Sequence, residues 1–356
     1  MVNLPVLNIG KHTPKYPIIQ GAMGVKISGA RLAGAVAACG GVGTIASVGI
    51  ACDHPLYNGR NYFDVNEIAV GEAVKSARET APGGVVAVNC MVALTDYDRQ
   101  VRSACRAGVD IIMSGAGLPM KLPEYTKDFP DVAIVPIVSS VKAADLIVRK
   151  WGKQYGRLPD AIMVETPLYA GGHLGATKME HVMNPEFSLE NVIPELISYV
   201  SDTVKADIPV IAAGGIWDRA DIDRMISLGA DGVQMGTRFV CTKECDASER
   251  FKQAYIDAAP DDVLLIMSPA GLPGRALRNP FVEKYISGIP ESKPCMAACL
   301  SHCKYLENRT TFCIAHALVD AYMGDWETGL FFVGSNVVKC SEMSTVAEIF
   351  RELVGE

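Results

Sequence analysis

Eight short apolar runs, all lying before residue 237, constrain the fold more than any other feature of this 356-residue chain. They are PIIQ (17–20), GVGTIA (41–46), GVVAVN (84–89), DIIMSG (110–115), VAIVPIV (132–138), DAIMVE (160–165), IPVIAAGG (208–215) and DGVQMG (231–236). Their apolar residues are consecutive and do not alternate with polar ones, which is the pattern of parallel strands covered on both faces. Segments with helical periodicity separate them, among them 28–39, 96–108, 140–152 and 218–229. Eight strand–helix units with no second compositional domain predict an α/β chain folded as a (β/α)8 barrel of the TIM type. An open doubly wound sheet is the other arrangement that such alternation allows.

Past about residue 260 the pattern changes to SPAGLPGRALRNPF and then to a cysteine-rich stretch. The expected organisation is a barrel over residues 1–260 and a C-terminal extension over 261–356 packed on it. With 49% hydrophobic and 21% charged residues the chain has material for a large core, which excludes disorder. Its 33 Lys and Arg against 40 Asp and Glu give a net charge of −7 with no basic block. That balance argues against nucleic acid as a partner and against a polybasic membrane anchor. The start, MVNLPVLNIGKH, has neither the basic n-region nor the apolar h-region of a signal peptide, and no apolar run approaches the roughly 20 residues of a membrane span. A cytoplasmic location is expected, and its reducing conditions leave the eleven cysteines unpaired.

In a barrel of this kind the chemistry gathers at the C-terminal ends of the strands. Glycines cluster there: Gly214-Gly215 close the seventh run, and Gly236-Thr237 close the eighth. Glycine amides approach a phosphate closely, the following helix N-terminus adds partial positive charge, and barrels often hold phosphate at this position. A phosphate-bearing cofactor lying across the mouth would meet earlier strand tips. Asn89 offers an amide there, and Ala22 and Met23 offer backbone and a soft thioether against a planar ring. Ser114 and Ser139 are further candidates for the pocket lining.

LYAGGHLGATK (168–178) sets one imidazole, His173, among glycines in an unusually long loop after the sixth run. An imidazole is suited to donate to, or take a proton from, a substrate near neutral pH. Gly171 and Gly172 let the backbone pass close to a flat ring and leave room above it. Lys178 reads as a solvated loop charge that can attract an anion.

Together PIIQGAMG, the VN at 88–89, AGGHLGA, PVIAAGGI and DGVQMGTRF resemble the FMN-dependent nitronate monooxygenases, formerly called 2-nitropropane dioxygenases. The related FMN-dependent enoyl-acyl-carrier-protein reductases share these motifs, and the resemblance covers roughly residues 5–280. It implies an oxidoreductase with FMN as cofactor, its phosphate on Gly214, Gly215, Gly236 and Thr237, with Gln234 and Met235 lining the approach and Asn89 meeting the rings. It implies that His173 acts on a small-molecule substrate, an alkyl nitronate in the first reading. In the second, NAD(P)H is a co-substrate and an enoyl thioester is reduced, which calls for a basic docking patch; Arg275, Arg278 and Lys284 are the local candidates. A barrel that binds FMN without turnover is a third reading, against which His173 stands. The family places a Gln or Glu shortly before its GGH motif. Glu165 is the nearest residue here, one position further away than the pattern, so Thr166 competes for that place. A homodimer is expected by analogy alone.

KPCMAACLSHC sets Cys295, Cys299 and Cys303 four residues apart after Pro294, a good first helical residue. On a helix these thiols would share a face, drifting by about 40° per step. Cys313 could then complete a four-sulfur set suited to zinc or an iron–sulfur cluster. Small buried cysteines are also ordinary packing residues, and no metal ligand is assigned.

Overall fold

A computed structural model describes residues 3–173, 175–176, 178–288, 293–308 and 311–355. Eight parallel strands close into a barrel: β1 (Ile18–Gln20), β2 (Val42–Ala46), β3 (Val85–Asn89), β4 (Ile111–Ser114), β5 (Ala133–Val138), β6 (Ile162–Glu165), β8 (Val210–Ala213) and β9 (Gly232–Met235). Each pairs with its neighbour, and β9 returns to β1 through Ile19 opposite Gln234. All eight lie inside the runs read from the sequence, because continuous Val and Ile runs suit strands covered on both sides. The inward set, including Ile19, Val42, Ala87, Met113, Val135, Met163 and Ile211, forms one cluster that Leu7 and Ile9 join from the N-terminal segment. The outward set packs under the helices.

One device recurs at the strand entrances. Asp110, Asp160 and Asp231 each precede a strand, and each carboxylate accepts an N–H from the first or second residue of the neighbouring strand: Val86 at 2.8 Å, Ile134 at 2.7 Å and Val210 at 2.8 Å. The motifs DII, DAI and DGV thus carry a structural reason for their aspartates, since a buried backbone donor needs a partner. The helices are capped as their sequences suggest: Ser140 accepts from the N–H of Ala143, and Asp218 from that of Asp221.

The remaining strands form a second, three-stranded sheet at the mouth: β7 (Gly172–His173), β10 (Val263–Met267) and β11 (Pro273–Leu277), in the order β10-β11-β7. The loop after β6 is therefore not free-standing, for its histidine lies in a strand. Beyond it, helix Ile314–Met323 and the closing helix Val346–Val354 pack back onto the barrel. The helix expected from Pro294 through Cys303 is absent; that stretch is extended and irregular, with Leu300 bridging Leu94, and helix begins only at Lys304. Tertiary pairing with the loop after β3 overrides the helical spacing. Among the described residues no helix is long and apolar enough to cross a membrane.

Gly43 in β2 tests the packing. A Cβ there would stand 1.8 Å from the carbonyl oxygen of Ala33, on a backbone that cannot withdraw. Gly43→Ala should destabilise the barrel by about 3 kcal/mol, read as a lower denaturation midpoint with an unchanged slope.

Candidate active site

The tips of the barrel strands and the second sheet enclose one cavity of about 570 Å³. Ala22, Met23 and Asn89 reach it from the tips of β1 and β3, and Glu165 from β6. Gly171, Gly172 and His173 enter from the loop above, and Gly214, Gly215, Gln234, Met235, Gly236 and Thr237 from β8 and β9. All thirteen residues singled out in the sequence therefore meet at one place.

Its β8–β9 end carries unspent donors. Among the described residues, nothing accepts from the backbone N–H groups of Gly215, Gly236 or Thr237. Gly215 has φ +76°, and a Cβ there would collide with the Tyr169 Cβ at 2.7 Å, so glycine is required twice over. Nearby, the Gln234 side-chain oxygen and the Thr166 hydroxyl are buried without partners. Buried polar atoms are normally satisfied, and Gln234 lines a cavity that a polar ligand would complete. Glu165, not Thr166, lines the cavity; Thr166 is fully buried behind it. The donor set fits a phosphate at the strand tips and a ring system with polar edges beyond it.

The sequence reading missed what frames this end. The run LFFVGSN, near the C-terminus, brings Gly334 and Asn336 to the same cavity. Asn336 donates to the Gly215 carbonyl at 2.8 Å, and Ser335 to the Tyr169 carbonyl at 3.2 Å. An apolar run ending in glycine was the signal, the same one that marks the barrel strands. Arg238, beside Thr237, turns away from the cavity: it pairs with Glu352 and lies over the Trp217 ring at 4.8 Å.

His173 is placed by the second sheet, where it lies opposite Gly274 and Gly172 lies opposite Arg275. Its Nε2 is 2.8 Å from the hydroxyl of buried Ser268, which also accepts from the Ala270 N–H at 3.3 Å. Nδ1 has no partner among the described residues and is the nitrogen left for a substrate. The Phe332 ring meets the imidazole edge-on at 5.4 Å. Burial lowers the histidine pKa to about 4, so the imidazole is neutral at pH 7. Burial pushes the Glu165 carboxyl up to about 7, and no cation or hydrogen-bond donor offsets it.

Several sequence readings are corrected. Ser114 accepts the Tyr97 hydroxyl at 2.9 Å inside the core and does not line the cavity, whereas Ser139 does. Lys178 is, as read, a solvated loop charge: it is exposed and pairs with Glu180. The basic docking patch dissolves: Arg278 is held by Glu283, and Arg275 is buried. Its guanidinium donates to the carbonyls of Ala170 and Leu168, the latter at 2.9 Å, and burial lowers its pKa to about 10. Among the described residues no three His, Cys, Asp or Glu side chains are set to hold a metal. Cys299 lines the cavity wall as a neutral thiol, its pKa pushed up to about 12 by burial.

The profile described as "Nitronate monooxygenase" matches residues 6–356. The chain belongs to the nitronate monooxygenase family. It is 29% identical over 276 residues to the (3aS,4S,5R,7aS)-5-hydroxy-7a-methyl-1-oxo-octahydro-1H-indene-4-carboxyl-CoA dehydrogenase of Mycobacterium tuberculosis, covering 77% of this chain and 66% of that protein. To a probable nitronate monooxygenase of Staphylococcus aureus it is 35% identical over 125 residues, 34% of each chain. The chain thus spans less than two thirds of the length of these curated relatives. FabK from Thermotoga maritima superposes with a TM-score of 0.71 at 25% identity, over 96% of this chain and 92% of that one. Nitroalkane oxidase from Streptomyces ansochromogenes superposes at 0.70 over 96% of each chain, and at 19% identity it speaks for the barrel alone.

Two measurements check the site. Glu165 is protonated in the fold up to about pH 7 but ionises near 4.3 when unfolded, so its ionisation costs stability progressively between those values. Glu165→Gln should therefore gain on the wild type as pH rises from 4.5 to 7, by up to about 3 kcal/mol, and hold that gain above 7, as followed by thermal unfolding. Arg275→Met removes two charge-assisted bonds and should lower stability by about 2 kcal/mol in denaturant, with Lys restoring less than half.

Proposed function

We propose that this enzyme binds FMN and oxidises alkyl nitronates, with His173 as the catalytic residue. The observation that carries the reading is the convergence of unspent N–H donors at Gly215, Gly236 and Thr237 with a neutral, half-free imidazole in the same cavity. Gly214, Gly215, Gly236 and Thr237 would hold the phosphate. Gln234, Asn89 and Glu165 would meet polar edges of the rings, and Ala22, Met23, Met235, Gly171 and Gly172 would lie against them. Bound there, FMN supplies the redox chemistry by accepting electrons from the substrate.

His173 does what the flavin does not. With Nε2 on Ser268, Nδ1 either accepts a substrate proton or donates to a nitronate oxygen, depending on which nitrogen carries the hydrogen. A neutral imidazole serves both roles, which a histidine held protonated would not. Gly171 and Gly172, lacking side chains, would let the loop backbone lie close to the rings. Glu165, uncharged below pH 7, offers a proton as a donor.

A second reading, reduction of an activated alkene by NAD(P)H, is favoured by the likeness to FabK and by the acyl-thioester substrate in the name of the mycobacterial relative. Anaerobic mixing separates the two. Rapid bleaching of the flavin by an alkyl nitronate, with none by NADH or NADPH, is expected; the opposite result assigns the reductase. His173→Ala should retain FMN and lose at least about 100-fold in turnover; full activity in that variant would remove His173 from the chemistry.

A further inference from the structure

The cavity has a second end that the cofactor's donors do not reach. In the cyclic order of strands, the phosphate-type donors stand at β8 and β9, and across the mouth lie the loops after β2, β3 and β4. From those loops Val48, Leu94 and Leu118 face the cavity, and opposite them stand Met296, Leu300 and Leu318 of the C-terminal extension. The two walls are tied together. Leu94 bridges Leu300, the Ser301 N–H donates to the Ala93 carbonyl at 2.9 Å, and Thr95 donates to the carbonyls of Cys299 at 3.0 Å and Ala298 at 2.7 Å. This lobe is built, and its shape does not depend on a loose tail.

Its chemistry is uniform. Among the described residues, no Lys or Arg lines any part of the cavity. The ionisable groups at the lobe are Tyr62, Cys52 and Cys299; burial raises the pKa of each, to about 11 for Cys52 and about 12 for Cys299, so all are neutral at pH 7. A pyrophosphate would find no cation here, which disfavours a nicotinamide nucleotide as the occupant. A nitronate with one or two carbons would leave the lobe unfilled, whereas an apolar chain would exchange water for Leu, Met and Ile side chains.

We infer that this lobe is a subsite for an extended apolar body on the substrate, and that Met296, Leu300 and Leu318 set the length and bulk it accepts. The inference rests on the proposed placement of the redox centre at the β8–β9 end. The preferred substrates carry a long alkyl chain or a fused apolar ring system behind the reacting carbon. The extension after the barrel is then a specificity wall as well as a brace.

Binding alone tests it, without turnover. Neutral 1-nitroalkanes from nitroethane to 1-nitrooctane are titrated calorimetrically into the protein with saturating FMN. Each added methylene should tighten Kd about fourfold, the factor for burying one CH2. Leu318→Glu, which sets a charge in the lobe, and Leu318→Trp, which fills it, should each cut that slope below twofold per methylene. A wild-type Kd indifferent to length, undetectable binding of 1-nitrooctane, or a variant that shifts every chain length equally would overturn the inference. So would NADPH binding weakened tenfold by either variant while the nitroalkane slope persists, because the lobe would then belong to the nucleotide. The outcomes separate from those of the preceding section. A steep slope in a protein whose flavin no nitronate bleaches keeps the lobe and discards the nitronate chemistry; bleaching with a flat slope does the reverse.

Discussion

A single buried guanidinium holds the site together. Arg275 lies under the GGH loop with no carboxylate beside it, and it spends its donors on two backbone carbonyls, those of Leu168 and Ala170. Burying an unpaired cation is costly, and it is tolerated where several hydrogen bonds replace its water. Here they fix a loop whose glycines would otherwise leave it slack. Strand β11, which carries Arg275, also pairs with β7 and so fixes the backbone of His173; Ser268, just past β10, then orients its ring. The barrel supplies the floor of the cavity, while this small sheet supplies the imidazole over it and sets its direction.

The barrel was legible in the sequence, for a physical reason. Each strand is buried on both faces, so its apolar residues run without interruption and its glycines fall at the tip, where backbone must turn or approach a ligand. The same logic picked out residues that line both ends of one cavity: Gly215 and Gly236 at the β8–β9 tips, and His173 in its glycine frame. What escaped notice are residues whose partners are remote. Ser268 is ordinary as a letter, and only the fold brings it within 2.8 Å of an imidazole 95 positions earlier. Arg275 looked like surface charge because its exposure is decided by β7, a two-residue strand no periodicity can reveal.

The cysteine-rich stretch shows the opposite failure. Its spacing of four is a helical signature, yet Leu300 bridges Leu94 and the backbone is drawn out along the barrel's loops. Local periodicity lost to backbone pairing made across about two hundred residues, and Cys299 became part of the cavity wall. For Cys299 the same burial raises the thiol pKa and keeps it neutral.

The pairing of β7 with β11 has a consequence for how the molecule comes into being. The eight barrel strands are complete once Met235 has been synthesised, but the histidine's partner strand begins at Pro273, and the Gly334–Asn336 segment over the strand tips arrives later still. A nascent chain on the ribosome can therefore close its barrel while its chemistry stays unassembled. The cavity is thus walled last by segments that lie far along the polypeptide from the strands that floor it.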